Sequence, residues 1–334
     1  MYLFSVFTKI LHFLPSELSH LLALKGLKTL HFFGITSIIT KKKNEQNRLS
    51  NEIFFNLANK VGIAAGLDKN GEYIDSLASL GIGFLEVGTV TPKPQKGNPK
   101  PRIFRNVNEM SILNRLGFNN KGVDYLVKNL KSRKYDGIVG VNVGANKWSS
   151  DKARVQDYLT CIEKVHKFAN YITVNISSPN TPNLRDFHNY ENIINLVNAI
   201  DKKASELNIQ IPLFLKISPD ESNESIDKII EVIEKSKFTG IIATNTTVDK
   251  SSLSNVSLKD IEGGLSGEPL MKKSTDKIKH ISIKSNNQIP IIGVGGVMNR
   301  EDYHKKITAG AGLVQIYTGF VLKGPKIVSQ ILLN

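Results

Sequence analysis

From about residue 60 the chain repeats one theme. A short run rich in Val, Ile and Gly is followed by a polar loop, then by a segment whose apolar residues recur every three to four positions. Eight runs carry it: VGIAAGL (61–67), FLEVGTV (84–90), IVGVNVG (138–144), YITVNIS (171–177), PLFLKIS (212–218), GIIATNT (240–246), PIIGVGG (290–296) and LVQIYTG (313–319). Each is apolar nearly throughout rather than alternating, as expected of a strand covered on both faces in a parallel sheet. The intervening segments read as amphipathic helices; over 152–168, Val155, Tyr158, Leu159, Ile162 and Val165 hold the 3.6-residue period. Eight strand–helix units predict an α/β fold, a (β/α)8 TIM barrel. An open doubly wound sheet is the rival, but such sheets usually carry a glycine-rich dinucleotide turn after the first strand. Here GLDKNGEY lacks both G-x-G-x-x-G and the Lys-Ser/Thr ending of a phosphate loop.

Residues 1–43 follow a different pattern and predict a small N-terminal helical extension, with the barrel domain over 44–334. A stripe of Leu3, Phe7, Ile10, Leu11 and Leu14 is separated by Pro15 from a second set, Leu18, Leu21, Leu22 and Ile35. Two short amphipathic helices are expected, over 2–14 and 16–33. Lys9, Glu17, Lys25 and Lys28 interrupt the segment, so it holds no run of about 18 apolar residues that would span a bilayer, and no cleavage site follows a compact apolar run. Six lysines face one glutamate in this stretch. The pair suits a membrane interface; a helical cap packed on the barrel suits the pattern equally well.

Composition narrows the classes. With 334 residues, 40% apolar and 22% charged, the chain has ample material for a large core. Its one cysteine, Cys161, excludes an internal disulfide and falls on the apolar side of a helix. His12, His20, His31, His166, His188, His280 and His304 show no metal-ligand spacing, and no metal is expected. The sequons at Asn175 and Asn245 sit at strand ends and read as chance matches. A net charge of +14 raises nucleic-acid binding as an alternative, but the lysines are spread along the helices rather than gathered with aromatics on one face. Attraction to anionic lipid accounts for the charge more simply. A non-enzymatic membrane-surface scaffold is the other alternative.

A barrel points the C-terminal ends of its strands into one mouth. The residues there are Asp68 and Lys69, Thr89, Asn142, Asn175 and Ser178, Lys216 to Ser218, Thr244 to Thr246, Gly295 and Gly296, and Tyr317 to Gly319. A scaffold has no use for this polar set. The glycines of the last two loops suit a phosphate group, although glycines also serve tight turns. Lysine is rarely buried without an anion, so Lys69 and Lys216 call for anionic ligands. A local Asp68–Lys69 ion pair would explain one of them, but not both.

The stretches AAGLDKNGE, EVGTVTPKPQKGNPKPRIFR, NRLGFNN, VNISSPNTPNLR, IATNTT, GGLSGEPL, IIGVGG and VQIYTGF resemble the dihydroorotate dehydrogenases of the membrane-associated, quinone-reducing class. The resemblance runs from the N-terminal helices to the end of the chain. It implies an FMN enzyme that oxidises dihydroorotate to orotate in pyrimidine biosynthesis, with a membrane quinone as final acceptor. Ser178 corresponds to the base that removes the C5 proton. Lys69, Asn114, Arg115, Leu116, Gly117, Phe118, Asn175, Asn180, Asn245 and Thr246 correspond to substrate-binding positions. Ala65, Gly66, Leu67, Asp68, Lys69, Thr89, Asn142, Asn175, Lys216, Thr244, Gly267, Gly296, Tyr317 and Thr318 correspond to FMN-binding positions, and Arg105 to a polar contact for the quinone head. The resemblance further implies a peripheral protein on the cytoplasmic face of the cell membrane, with a monomer favoured. The alternative is a soluble-class FMN dihydroorotate or dihydropyrimidine dehydrogenase using fumarate or NAD, against which Ser178 and the N-terminal helices argue.

Overall fold

The computed structural model describes residues 2–36, 57–177 and 190–332, without the side chains of residues 2–6 and 151. All eight predicted runs form strands, and these close into one parallel barrel. In chain order the strands of the protein are β1 (Val61–Ile63), β2 (Phe84–Val90), β3 (Ile103–Asn106), β4 (Ser111–Asn114), β5 (Ile138–Val143), β6 (Tyr171–Asn175), β7 (Leu213–Ile217), β8 (Gly240–Ala243), β9 (Gly264–Gly267), β10 (Ile291–Val294) and β11 (Leu313–Ile316). The barrel runs β1-β11-β10-β8-β7-β6-β5-β2 and closes where Gly62 and Ile63 pair with Phe84 and Leu85. Strands β3, β4 and β9 form a separate antiparallel sheet, which the hydrophobic pattern did not forecast. Its strands are four residues long, and all of β3 is half-buried, so they lack the continuous apolar run that marks the barrel strands.

The barrel floor is filled by Phe84, Tyr171 and Phe214, with Leu57, Ile242, Ile292 and Leu313. Tyr171 and Phe214 meet edge to face, centroids 5.7 Å apart. Glycines on adjacent strands make room for these rings: a Cβ on Gly62 would lie 2.5 Å from the Phe84 ring, and one on Gly140 2.0 Å from that of Tyr171. Outside the barrel the helices bury their periodic faces. The expected helix over 152–168 spans Asp151–Val165, with Tyr158, Cys161, Ile162 and Val165 fully buried. Asn223–Glu234 buries Ile226, Ile229, Ile230 and Ile233 and is capped by Ser222 Oγ, which accepts from Ser225 N.

The N-terminal helices are α1 (Tyr2–Leu11) and α2 (Ser16–Phe32), each ending slightly earlier than the pattern suggested. Helix α2 divides its apolar residues between the core and the surface. Leu24 and Leu27 join the main core, whereas Leu18, Leu21 and Leu22 remain exposed. Phe13, Phe32 and Phe33 are 90%, 83% and 69% exposed. No helix among the described residues is long and apolar enough to cross a membrane. The expected domain boundary at 43/44 and the lysines at 41–43 lie outside the described residues.

The ring-over-glycine packing of the floor predicts that Gly140→Ala overpacks it and destabilises the fold by about 1–3 kcal/mol. Chemical denaturation with unchanged slope and a lowered midpoint is the expected result; an unmoved midpoint would show that the Tyr171 ring shifts at no cost.

Candidate active site

A buried carboxylate lies beneath the barrel mouth. Glu86, in the middle of β2, is 1% exposed, and donors converge on it from three strands. Asn142 Nδ2 donates to Oε1 at 2.8 Å; Tyr171 Oη, Thr173 Oγ1 and Gln315 Nε2 donate to Oε2 at 3.0, 3.1 and 2.8 Å. From Asn142 a chain of hydrogen bonds climbs to the mouth. Thr89 Oγ1 donates to Asn142 Oδ1 at 2.6 Å, and Asn175 Nδ2 donates to Thr89 Oγ1 and to Asn142 Oδ1. Asn175 Oδ1 accepts from the backbone N–H and hydroxyl of Ser177, and Asn245 Nδ2 donates to Ser177 Oγ at 3.1 Å.

Above this chain opens a cleft of about 990 Å³. It brings together most of the residues expected to form a site: Ala65, Gly66, Lys69, Thr89, Asn114, Leu116, Gly117, Phe118, Asn175, Lys216, Thr244, Asn245, Thr246, Gly267, Gly296, Tyr317 and Thr318 all line it. The antiparallel sheet forms part of its rim: Asn114 ends β4 and pairs with Gly264 of β9, and Thr318 Oγ1 donates to Ser266 Oγ at 2.8 Å. Asn142 lies just below, fully buried in the hydrogen-bond chain.

Several expected positions fall elsewhere. The Asp68 carboxylate turns away from the cleft and accepts from the backbone N–H groups of Glu72 and Tyr73 at 3.0 and 2.7 Å. Its pKa is raised to about 6 by burial, against the pull of those donors. Its task is local, so the ion-pair explanation of Lys69 has weak geometric support. Leu67 packs in the main core. Arg115 points its guanidinium to Pro101 O and over the Phe104 ring, away from the cleft, because β4 alternates its side chains across the sheet. Arg105 does not line the cleft either. Its guanidinium donates to the carbonyls of Leu11, His12 and Leu14 and to Ser19 Oγ, pinning the link between α1 and α2. Ser178 and Asn180 lie outside the described residues.

Of the two mouth lysines, Lys216 is buried and Lys69 half-buried. Lys69 Nζ donates to Gly66 O at 2.9 Å, and burial, reinforced by nearby Arg102, lowers its pKa to about 8. Burial also lowers the pKa of Lys216, with the Glu86 carboxylate opposing the shift. Lys69 and Leu116 also form part of a second opening beneath α2, lined by Leu18, Leu21, Leu24 and Ile103 together with Glu17, His20, Glu72 and Lys100. His20 is held near pKa 4, first by burial and then by the Lys69 charge. Arg102 forms a two-pronged contact with Glu17 of α2, at 2.9 and 3.1 Å. Among the described residues, no three His, Cys, Asp or Glu side chains assemble as a metal site.

Sequence reasoning missed Glu86, Gln315 and the Glu17–Arg102 pair. For the first two the signal was present: a charged and an amide residue in otherwise apolar strand runs, FLEVGTV and LVQIYTG. For the pair no local signal existed, because 85 residues separate its members.

The family model for dihydroorotate dehydrogenase matches residues 49–334. A Vibrio atlanticus protein named dihydroorotate dehydrogenase (quinone) is 46% identical over 325 residues, covering 96% of each chain. One of the same name from Buchnera aphidicola subsp. Schizaphis graminum is 44% identical over 330 residues, covering 98% of each. The crystal structure of DHODH from Eimeria tenella in complex with ferulenol superposes with a TM-score of 0.81 at 32% identity, covering 91% of this chain and 89% of that one. The barrel, the polar mouth and the match over nearly the whole length agree: the chain belongs to the dihydroorotate dehydrogenase family.

Proposed function

We infer that the protein oxidises dihydroorotate to orotate in pyrimidine biosynthesis, with FMN as the resident cofactor and a membrane quinone as final electron acceptor. One observation carries this reading. A cleft holding a buried lysine and a row of amides meets, through Lys69 and Leu116, a second opening that lies against the exposed helical pair and is lined by Leu18, Leu21, Leu24 and Ile103 beside charged side chains. An enzyme that takes electrons from a polar acid and gives them to an apolar carrier needs two such chambers back to back.

The residues present fit FMN. Bare backbone at Gly267, Gly295 and Gly296 forms one end of the cleft, and a Cβ on Gly296 would fall 2.4 Å from the Met271 Cα. That end suits a phosphate, and the cleft follows no dinucleotide fingerprint that would suit FAD. Thr89, Asn175, Lys216 and Thr244 supply donors and a cation at the other end, beside Ala65, Gly66, Tyr317 and Thr318. When bound, FMN accepts the hydride from C6 of the substrate and hands the electrons on to the quinone.

The protein's own groups do the rest. Dihydroorotate carries a ring edge of alternating donors and acceptors and one carboxylate; Asn114, Asn175 and Asn245 with Thr246 match the edge, each amide offering both a donor and an acceptor. Asn180 is assigned to the same set, and the Lys69 ammonium to the carboxylate. Ser178 is assigned as the base for the C5 proton. A neutral serine is a weak base, so it acts by passing the proton onward as it leaves. The second opening, with His20 and Glu17, the partner of Arg102, at its wall, is the assigned quinone approach, and Arg105, which ties the link between α1 and α2, is the assigned polar contact for the quinone head. Phe13, Phe32 and Phe33 present an aromatic surface suited to a membrane interface, which supports a peripheral membrane position; the family resemblance adds the cytoplasmic face of the cell membrane, with basic residues drawn to anionic headgroups. A monomer is the simplest assembly consistent with this.

Anaerobic addition of dihydroorotate is expected to bleach the yellow protein, and Ser178→Ala to slow that bleaching by about 10²–10⁴-fold while orotate still binds. Stopped-flow traces unchanged in the variant would remove Ser178 from the role. Lys69 binds the carboxylate only as the cation, so substrate affinity is expected to be full below about pH 8 and to fall as pH rises through that value. Lys69→Ala should weaken orotate binding by about 10–100-fold and erase this limb; an unchanged titration at pH 7 and pH 9 would leave Lys69 structural. Finally, Phe13, Phe32 and Phe33 changed together to Ser should leave bleaching intact and reduce both vesicle co-sedimentation and turnover with a long-tailed quinone in liposomes. Full turnover in that variant would mean the helices serve only as a cap.

A further inference from the structure

The glycine end of the cleft has a charge deficit. Among the described residues that line the cleft the cations are Lys69 and Lys216, and both are assigned elsewhere. A phosphate dianion seated on bare glycine backbone would therefore meet no lining cation. Directly behind that backbone lies a third lysine that takes no part in the mechanism above. Lys306, on the helix Arg300–Thr308, is fully buried. Its Nζ donates to Met271 O at 3.4 Å, to Ser274 Oγ and to Thr275 Oγ1 at 2.9 Å, all in the first turn of the helix Met271–Lys284. Ser274 Oγ in turn donates to Gly295 O at 3.1 Å, and the Met271 backbone sits against Gly296.

We propose that Lys306 is the positioning residue and buried counter-charge of the cofactor's phosphate cradle, acting through Ser274 on the Gly295–Gly296 backbone. The inference rests on the FMN reading above and deepens it. The bonding pattern requires the ammonium. Three acceptors surround Nζ, and an ammonium has three N–H groups to give them, which leaves the Ser274 hydroxyl proton free for Gly295 O. A neutral amine has two donors and a lone pair. The Ser274 hydroxyl is the group able to turn toward that lone pair, because the Thr275 hydroxyl is engaged with Met271 O at 2.7 Å; turning would release Gly295. Loss of the proton thus removes the charge behind the cradle and loosens the loop that forms it.

Lys306 is poised for that change, since burial lowers its pKa to about 7. The charged groups acting on it are Asp302 of its own helix and Asp276 of the facing helix, both of which favour the ammonium. From the barrel strands Gly293 lies against it, a Cβ built there falling 3.6 Å from the Lys306 Cβ. By linkage, a bound phosphate dianion raises the Lys306 pKa, and each unit of that rise appears as a tenfold loss of phosphate-dependent affinity when the proton is removed.

Riboflavin lacks the phosphate, so competition between it and FMN isolates the effect. The purified flavoprotein is equilibrated with mixtures of the two flavins at pH values from about 6 to 9, desalted, and its bound flavins are quantified by chromatography. The expected preference for FMN is high at pH 6 and falls by about tenfold as Lys306 deprotonates. Lys306→Met should lower the preference by a similar factor at pH 6 and flatten its pH dependence, whereas Lys306→Arg should keep it high throughout. A preference unchanged by Lys306→Met overturns the proposal and leaves the FMN assignment standing. Should that variant fail to fold, the unmodified protein decides: the second ionisation of the free phosphate, near pH 6, makes FMN fully dianionic above pH 7, so a preference that is constant or rising from pH 7 to 9 overturns the role of Lys306. No preference for FMN at any pH would overturn the cofactor reading and this inference together.

Discussion

The site depends on the orientation forced by one desolvated carboxylate. Removing an ion such as Glu86 from water costs several kcal/mol unless charge and hydrogen bonds replace the water. Asn142, Tyr171, Thr173 and Gln315 replace it, with Lys216 as the opposing charge. Burial and the same carboxylate push the Tyr171 phenol well above its ordinary pKa, so it stays a donor. Because Asn142 must give its Nδ2 to Glu86, its Oδ1 faces upward and can only accept. That fixes Thr89 and Asn175 as donors toward it, and Asn175 then presents its own Oδ1 to Ser177 and Asn245. An amide can be flipped at small cost in isolation. In this stack a flip at any level would place two donors or two acceptors face to face, so the direction of every amide up to the mouth is inherited from the floor.

The cover over the mouth is held by a different kind of constraint. Helix α2 places only a narrow apolar edge, Leu24 and Leu27, in the core, and the rest of its apolar surface faces solvent. So small a contact would let the helix pair drift. Two arginines three residues apart on one short strand and its approach prevent this: Arg102 grips Glu17 with two prongs, and Arg105 gathers the carbonyls of the turn between the helices. Fork-shaped guanidinium groups suit the task because each satisfies several acceptors in a fixed plane. The opening beneath α2 persists because the helix is tied at its rim rather than packed along its length.

The barrel was legible because each of its strands is buried on both faces, which writes an unbroken apolar run into the chain. The helices were legible through their period, with errors of a few residues at their ends. Strands β3, β4 and β9 were not, because each is short and β3, IFRN, is half polar. Most of the mouth could be placed from the rule that barrel strands end there, and the family resemblance then attached roles to it. Of the two arginines in PRIFR, the family resemblance named Arg105, and Arg102 was passed over because its partner Glu17 lies 85 residues away. Arg115 points away from the cleft because side chains alternate along β4 and its end. Glu86 and Lys306 were overlooked because a single charge inside an apolar stretch reads as noise until its partners, drawn from distant parts of the chain, are seen around it.

Three lysines, Lys69, Lys216 and Lys306, have their pKa values depressed by desolvation. A lysine whose folded pKa is lowered opposes folding wherever the unfolded chain would be protonated, that is, below its ordinary value near 10.5, and the penalty grows until pH reaches the folded pKa. In the empty protein these penalties are offset only in part, by local hydrogen bonds and by nearby carboxylates such as Glu86 for Lys216 and Asp302 and Asp276 for Lys306. The assigned ligands, a carboxylate, a flavin ring that gains negative charge on reduction and a phosphate, are all anionic. Each anion would raise the pKa of the lysine facing it and reverse part of the penalty, so binding energy and folding energy are coupled at three points around one cleft. The same arrangement leaves the site short of negative charge by construction, because a carboxylate placed beside Lys69 or Lys306 to stabilise the empty fold would compete with the ligand for the cation. Asp68, one residue from Lys69 and yet turned to backbone N–H groups, shows the geometry that this requirement imposes.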